Sequence, residues 1–207
     1  MTMTTSQWLL CVFLGTAISF LNAQEPAAPA PSPIATVATP AASPTATPAV
    51  KADIKRTPKG IELYSLAYDE DADVFSGPTT KRPYSGPVYS KYDDGVVESE
   101  GTLKNGHEQG WWIEYFEDGT KDNEGAYDKG EETGYWKYWH ENGQLASGGN
   151  FKEGSPDGPW ITFYENGKIE SQGLYIDGLM DGAWKFFNER TGEATIFTYD
   201  KGIQLKQ

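Results

Sequence analysis

Apolar and polar residues alternate in short runs from residue 86 to the C-terminus, and glycine-containing turns separate the runs. Trp136 and Tyr138 are typical, because side chains two residues apart project from the same face of a β-strand. Apolar stripes with the three- and four-residue spacing of a helix are missing. The 23 glycines and the 14% aromatic content also favour turns and strands. The pattern predicts an all-β fold.

Glycine recurs every 24 residues in several series, and aromatic residues keep the same step. The leading glycines are Gly86, Gly110, Gly134, Gly158 and Gly182. Tryptophan stands two residues after the leading glycine in four units, as Trp112, Trp136, Trp160 and Trp184. Another aromatic residue stands late in the unit, as Tyr127, Phe151 and Tyr175. Such periodicity is typical of proteins built from equivalent units. The sequence therefore predicts five units, which start at residues 86, 110, 134, 158 and 182.

Each unit also contains two dipeptides suited to turns. The first is an Asp-Gly or Asn-Gly pair, with Gly119, Gly143 and Gly167 as examples, and it predicts a two-residue type I′ turn at a hairpin tip. The second, such as Lys129-Gly130, predicts a weaker return turn between units. Together they predict an open, single-layer antiparallel β-meander of 24-residue hairpin repeats.

The predicted tip also sets the register of each hairpin. A two-residue tip places Trp136 opposite Gly149, and an indole that covers a cross-strand glycine packs tightly on the exposed backbone. The tryptophans and the late aromatic residues are therefore predicted to form a structural core on one face. By alternation, that face is expected to hold two sets of side chains: Trp136 with Tyr138 and Leu145, and Trp160 with Tyr164 and Ile169.

The opposite face is less polar than a solvated sheet surface. It carries an aromatic column with isoleucines beside it: Tyr115, Trp139, Phe163, Phe187, Ile113 and Ile161. An exposed patch of this kind marks an interaction surface, so these residues are the predicted partner-binding or ligand-binding site. The alternative is that the sheet curls or doubles back and buries both faces.

The N-terminal third of the chain has a different composition. An apolar run from Trp8 to Leu21 predicts a signal peptide over residues 1–23 that is cleaved after Ala23, with an uncleaved anchor as the alternative. Residues 24–59 are rich in Pro, Ala and Thr and predict a disordered linker. Residues 60–85 are expected to be a flanking strand or loop segment, and residues 86–207 the repeat array. This arrangement predicts an exported protein, periplasmic or extracellular.

Charge narrows the range of partners. The net charge is −13, which argues against nucleic acid and against contact with an anionic membrane surface. The single cysteine, Cys11, lies in the predicted leader, so the exported chain holds no disulfide. The oligomeric state is left open.

No constellation of catalytic residues is recognisable. His107 and His140 stand at different positions in the repeat, and the acidic run that begins at Asp69 resembles a calcium loop but has Val74 where the turn glycine belongs. The sequence predicts a protein that is not an enzyme, with no catalytic residues, no metal and no cofactor.

The segments Gly158-Pro159-Trp160 through Asn166-Gly167 and Gly173-Leu174-Tyr175 through Gly178 resemble the MORN-repeat variant family, which includes the bacterial antitoxin-like YwqK proteins. The resemblance covers residues 86–203. It implies an open β-meander and roles in protein or lipid contact, without shared catalytic residues. The end units depart from the pattern, as capping units do: Val88 replaces tryptophan and Phe197 replaces glycine.

Three functional hypotheses follow. In the first, the array is an exported scaffold that contacts a protein partner, basic in character, through the aromatic and acidic face. In the second, it binds a glycan of the cell envelope, because exposed aromatic residues stack on sugar rings. An antitoxin or immunity role is a weaker third, suggested by the family name alone.

Overall fold

The computed structural model describes residues 57–206. The predicted signal peptide and most of the predicted linker lie outside these residues. Short β-strands and one 3-10 helix, Leu63–Ser65, make up the described part. The strands are β1 Ile61–Glu62, β2 Ala67–Asp69, β3 Val74–Ser76, β4 Gly86–Lys91, β5 Val97–Lys104, β6 His107–Glu108, β7 Gly110–Tyr115, β8 Lys121–Asp128, β9 Glu131–Trp139, β10 Leu145–Lys152, β11 Ser155–Phe163, β12 Ile169–Ile176, β13 Leu179–Phe187, β14 Ala194–Asp200 and β15 Ile203–Gln204.

The strands form one long sheet in which spatial order follows chain order from β4 to β15, with β6 paired beside β5. All of these pairs are antiparallel, and only β1 is added in parallel, against β4. Strands β2 and β3 form a separate small hairpin. The predicted all-β antiparallel meander is confirmed.

The type I′ turns lie between units and not at the tips, so the predicted turn assignment is wrong. Lys129 and Gly130 both have positive φ, at 57° and 88°, and Glu153-Gly154 behaves in the same way. Asp128 pairs directly with Glu131, so the loop between them holds two residues. A two-residue loop that must follow the right-handed twist of the strands needs positive φ twice, and this requirement overrides the poor intrinsic preference of Lys and Glu.

The tips are longer than predicted. The amide of Gly143 donates to the carbonyl of His140, and the amide of His140 donates to the carbonyl of Gln144, which leaves a three-residue loop. Gly143 alone has positive φ, at 80°. Asn142 contributes through its side chain, whose Oδ1 accepts from the amide of Gln144 at 2.9 Å. This is a turn of type I closed by a left-handed glycine.

The predicted register nevertheless holds, because a second irregularity offsets the longer loop. Trp136 pairs with Gly149 as expected, while a β-bulge at Ala146 absorbs the residue that the loop displaced. The bulge moves Leu145 opposite Trp139, away from the face that holds Trp136. Ile169 moves in the same way to pair with Phe163. Both residues were expected on the core face, and that expectation is wrong.

Four indoles each cover a glycine that belongs to the preceding strand and not to the partner strand of the same hairpin: Trp112, Trp136, Trp160 and Trp184. A Cβ at Gly125 would overlap the ring of Trp136, and one at Gly149 would overlap the ring of Trp160. The indole Nε1 of Trp136 donates to the carbonyl of Ala126 at 3.2 Å, which anchors the ring over β8. The tryptophan therefore joins one unit to the one before it.

The indoles and the late aromatic residues form a continuous ladder along this face, called here the tryptophan face. Successive ring centroids lie 5.0 to 6.0 Å apart, with the rings edge to face. The ladder runs in the order Trp112, Tyr127, Trp136, Phe151, Trp160, Tyr175 and Trp184. The tryptophans and late aromatic residues predicted to be structural thus lie together on one face.

The segment before the array closes the first end of the ladder. The first unit has Val88 where the others have tryptophan, and Leu66 packs with Val88, Leu103 and Trp112 in one buried cluster. Phe75 of β3 is hydrogen-bonded to the first return turn, because its backbone amide donates to the carbonyl of Gly106 at 2.9 Å. The flanking segment thus supplies the apolar cover that a preceding repeat would otherwise give.

The contact of Trp136 with Gly125 can be tested by a double-mutant cycle. We expect Gly125→Ala to lower the free energy of unfolding by about 1–3 kcal/mol, because the new methyl group is overpacked against the indole. With Trp136→Val, which copies Val88 of the first unit, the same Gly125→Ala change should be neutral or stabilising by about 0.5–1 kcal/mol, because alanine suits a strand better than glycine. Urea unfolding of the four proteins measures this coupling. Additive effects would contradict the proposed contact.

The return turns give a second test. Lys129→Asn should raise the free energy of unfolding by about 0.5–1 kcal/mol, because asparagine adopts positive φ at lower cost than lysine. Lys152→Asn is the matched control, since Lys152 lies at the end of β10 and precedes the two positive-φ residues of its turn. A gain of similar size in the control would show that the turn conformation is not the cause.

Candidate binding face

The face opposite the tryptophan face, called here the strip face, holds the six residues predicted to bind a partner. Two of them are buried: Tyr115 is 4% exposed and Phe163 is 8% exposed. The other four are half-buried: Trp139, Phe187, Ile113 and Ile161. The expected continuous exposed column is therefore corrected at Tyr115 and Phe163.

This burial does not come from a sheet that doubles back. Between residues 57 and 206, extensive contacts join strands that are adjacent in the sheet, together with the 3-10 helix on β4. Neighbouring side chains on the same face supply the cover. The ammonium group of Lys121, for example, lies 5.6 Å from the ring centroid of Trp139.

Hydrogen bonds fix the first buried residue of the column. The hydroxyl of Tyr115 donates to Oε1 of Glu100 at 2.7 Å, and the hydroxyl of Tyr92 donates to the carbonyl of Tyr115 at 2.6 Å. The second contact recurs 72 residues later, where the Tyr164 hydroxyl donates to the carbonyl of Phe187 at 2.8 Å. A tyrosine at the tip of one unit thus hydrogen-bonds to the backbone at the strand end of the next unit.

A buried carboxylate lies within the middle of the strip face. Glu124 is 8% exposed and accepts from Lys121 at 2.6 Å, and Lys137 lies 3.5 Å away. Since a buried charge needs a partner, this group stabilises the centre of the face and is not available as a ligand-binding acid.

Two exposed aromatic residues on the strip face were missed from the sequence. Trp111 is 54% exposed and Tyr135 is 46% exposed. They occupy the same repeat position, directly after the leading glycine, where the other units have Pro87, Pro159 and Ala183. The signal was readable: large aromatic residues at a position that elsewhere holds small or cyclic ones.

A groove runs beside Trp111. Its volume is about 420 Å³, and it crosses β4, β5 and β7. Its principal lining residues are Lys59, Pro87, Glu100, Thr102, Trp111 and Ile113. Alternation places Glu100 opposite Ile113, so both point to the strip face. Charged, hydroxyl and aromatic groups therefore converge at this end of the sheet.

The other end of the strip face exposes aliphatic side chains, called here the terminal patch. These side chains are between 45% and 70% exposed: Ile176, Leu179, Ile196, Ile203 and Leu205. Pairing of Ile176 with Leu179, and of Ile196 with Lys185, places them on the strip face. The sequence prediction missed this patch because it followed the aromatic column and not the flanks of the return turns.

The pKa values of ionisable side chains are most strongly perturbed on the tryptophan face. Burial raises the pKa of Glu114 above its ordinary value of 4.5, although a hydrogen bond from Asn123 at 2.8 Å offsets part of the effect. Burial also raises the pKa of Glu108 and of Glu132. It raises the pKa of the Tyr127 hydroxyl as well, with a further contribution from Glu132. The carboxyl groups on this face therefore release their protons at higher pH than exposed glutamates do.

The described residues offer two further observations on chemistry. No group of three His, Cys, Asp or Glu side chains between residues 57 and 206 is arranged to hold a metal ion. In the same residues, no helix has the length and apolarity needed to cross a membrane. The strip face carries an aromatic groove at one end and an aliphatic patch at the other.

Comparison with known proteins supports the repeat assignment. Residues 132–153 and 156–177 match the MORN repeat variant family, so the resemblance is confirmed for two adjacent units. No curated protein matches the chain. A crystal structure of the GtfA/B complex bound to UDP and GlcNAc is similar to this chain, with a TM-score of 0.32 and 13% identity. The similarity covers 56% of this chain and 24% of that one.

The perturbed carboxyl groups predict how stability depends on pH. Because the pKa of Glu114 is raised on folding, the folded chain binds this proton more tightly than the unfolded chain. The contribution of this proton to the free energy of unfolding is fully present below pH 4.5 and is lost as pH rises through the raised pKa of Glu114. We expect the free energy of unfolding to fall over this interval, and Glu114→Gln to make the slope shallower.

Urea unfolding at a series of pH values measures this slope. Glu141→Gln, at an exposed tip, controls for the loss of one negative charge. A Glu114→Gln protein with the slope of the wild type would show that Glu114 does not carry the effect.

Proposed function

We propose that this protein is an exported, non-enzymatic repeat scaffold that binds a protein partner through the strip face. The repeat array supplies a rigid sheet, and the terminal patch supplies the apolar centre of the interface. The exported form begins at Gln24, after the predicted leader.

The observation that carries the proposal is the terminal patch. Leu179 and Ile203 are 48% and 70% exposed, yet the equivalent positions of the earlier units hold His107, Glu131 and Ser155. The repeat therefore tolerates polar residues here, and the aliphatic ones are not required by the fold. Contiguous exposed apolar surface on a soluble protein marks an interaction site.

The surroundings of the patch suit an interface with a polar rim. Asp177 and Asp181 lie near the return turns beside the patch: the amide of Asp177 donates to Oδ2 of Asp157 at 3.4 Å, and Oδ1 of Asp181 accepts from the amide of Lys201 at 3.5 Å. An apolar centre with charged residues at its edge is the usual arrangement of protein interfaces. The net charge of −13 favours a basic partner by attraction at long range.

Export is supported by the sequence alone. The apolar run ends shortly before Ala23, and a Pro-rich spacer separates it from the array. The only cysteine lies before this site, which suits a protein that works in an oxidising compartment without disulfides.

The test is affinity capture of partners by the full exported chain, followed by measurement of Kd with the protein that is captured. The variant Leu179→Ser/Ile203→Glu copies residues that other units carry at these positions, so we expect it to fold normally. It should bind the captured partner at least about tenfold more weakly, because central apolar contacts dominate interface energies.

Tyr64→Ser is the matched control, since Tyr64 is 68% exposed and lies outside the patch. It should bind as the wild type does. Equal Kd values for the wild type and the double variant would reject the terminal patch as the binding surface, and capture of no protein at all would reject the scaffold proposal.

A further inference from the structure

Trp111 is an unusual residue in this fold, because more than half of its side chain faces solvent. The indole directly beside it in sequence, Trp112, is 5% exposed and belongs to the aromatic ladder. Leaving so large an apolar ring largely in water forfeits much of the free energy that its burial would contribute. The fifth unit holds Ala183 at the same position, so the repeat does not need an aromatic residue there.

We propose that the groove beside Trp111 binds an uncharged glycan, with one sugar ring stacked on the Trp111 indole. The site is distinct from the terminal patch, which lies at the other end of the sheet. A saccharide suits the groove because a pyranose ring presents C–H groups to an aromatic face and hydroxyl groups around its edge. The negative face of an indole attracts those C–H groups.

The size and lining of the groove fit such a ligand. A volume of about 420 Å³ is in the lower range for small-molecule sites. Ile113 and Pro87 extend the apolar wall, while Thr102 and Lys59 bring hydrogen-bonding groups. Hydroxyl groups both donate and accept, so they can bond to each of these polar side chains.

Glu100 favours a saccharide over a proline-rich peptide, which is another kind of ligand that binds aromatic grooves. The Tyr115 hydroxyl holds its carboxylate in place from below, at 2.7 Å. A carboxylate offers several acceptor sites, so it suits a ligand that is rich in donor groups. Sugar hydroxyls supply such donors, whereas proline has no N–H. Excess acidic charge on the chain also disfavours phosphorylated or uronic ligands.

A second platform lies one unit further along the same face. Tyr135 occupies the repeat position of Trp111, and its hydroxyl lies 2.5 Å from where a Cβ on Gly148 would be, so the ring rests over β10. β7 and β9 are separated by β8, which puts the backbones that carry the two residues about 10 Å apart at the usual strand spacing. Pro87 and Pro159 stand at this position in the flanking units, so the row ends at two aromatic platforms.

The experiment uses the full exported chain with cellotetraose and chitotetraose as probes, and calorimetry to measure Kd. We expect at least one of the two to bind, and Trp111→Ala, which copies Ala183, to weaken that binding by about tenfold or more. Tyr135→Ala should weaken it to a smaller extent. Urea unfolding of both variants checks that the fold is intact.

Two controls separate this proposal from the proposed protein interface. Tyr64→Ser removes an exposed aromatic residue elsewhere and should leave saccharide affinity unchanged. Leu179→Ser/Ile203→Glu should also bind saccharide normally, while Trp111→Ala should keep its affinity for the protein partner. A synthetic peptide with the sequence of residues 26–50 is titrated in the same way, as the proline-rich ligand.

The proposal is overturned if neither tetrasaccharide binds, if a folded Trp111→Ala variant binds them as the wild type does, or if only the proline-rich peptide binds. Saccharide binding that depends on Trp111 and survives the terminal-patch substitutions supports it.

Discussion

The fold depends on the contact between an indole and the bare backbone of a glycine in the preceding strand. A single-layer sheet has no second layer to cover its tryptophan face, so each unit must cover its neighbour. A side chain at Gly125 would displace the ring of Trp136, and a ring smaller than indole would leave the glycine backbone open to water. Burying each indole contributes about 1.5–3 kcal/mol, which one isolated hairpin cannot exploit. Stability therefore belongs to the stack of units and not to any one of them.

The ends of the array show how this constraint is met where a neighbour is missing. At the first end, Val88 replaces the tryptophan, and Leu66 from the flanking segment fills the space beside it. Toward the other end, Phe197 stands opposite Trp184 where a glycine would be expected, and its ring lies 5.8 Å from that of Phe186. Both departures were visible in the sequence as breaks in the repeat, and both substitute apolar side-chain contact for a missing indole.

The architecture could be predicted because glycine spacing and aromatic spacing report the same physical unit. The pairing of Trp136 with Gly149 was also predictable, although it rested on the wrong turn type: the three-residue loop and the bulge at Ala146 change the register in opposite directions. Turn type itself was not predictable from dipeptides, because Lys129 adopts positive φ under the demand of strand twist. Burial of Tyr115 was hidden for another reason, since it depends on contacts from other strands such as that with Glu100.

Function is best sought where the units differ while the fold does not require them to. On the tryptophan face, the units after the first share the indole that builds the ladder. On the strip face, one repeat position holds Trp111 and Tyr135 in two units but proline or alanine in the others, and another becomes aliphatic only at Leu179 and Ile203. Neither change improves packing, since all four side chains remain about half exposed or more. A repeat that keeps its indole ladder while varying its second face at two separated places has the properties expected of the proposed scaffold, with one proposed contact site for a saccharide and one for an apolar protein surface.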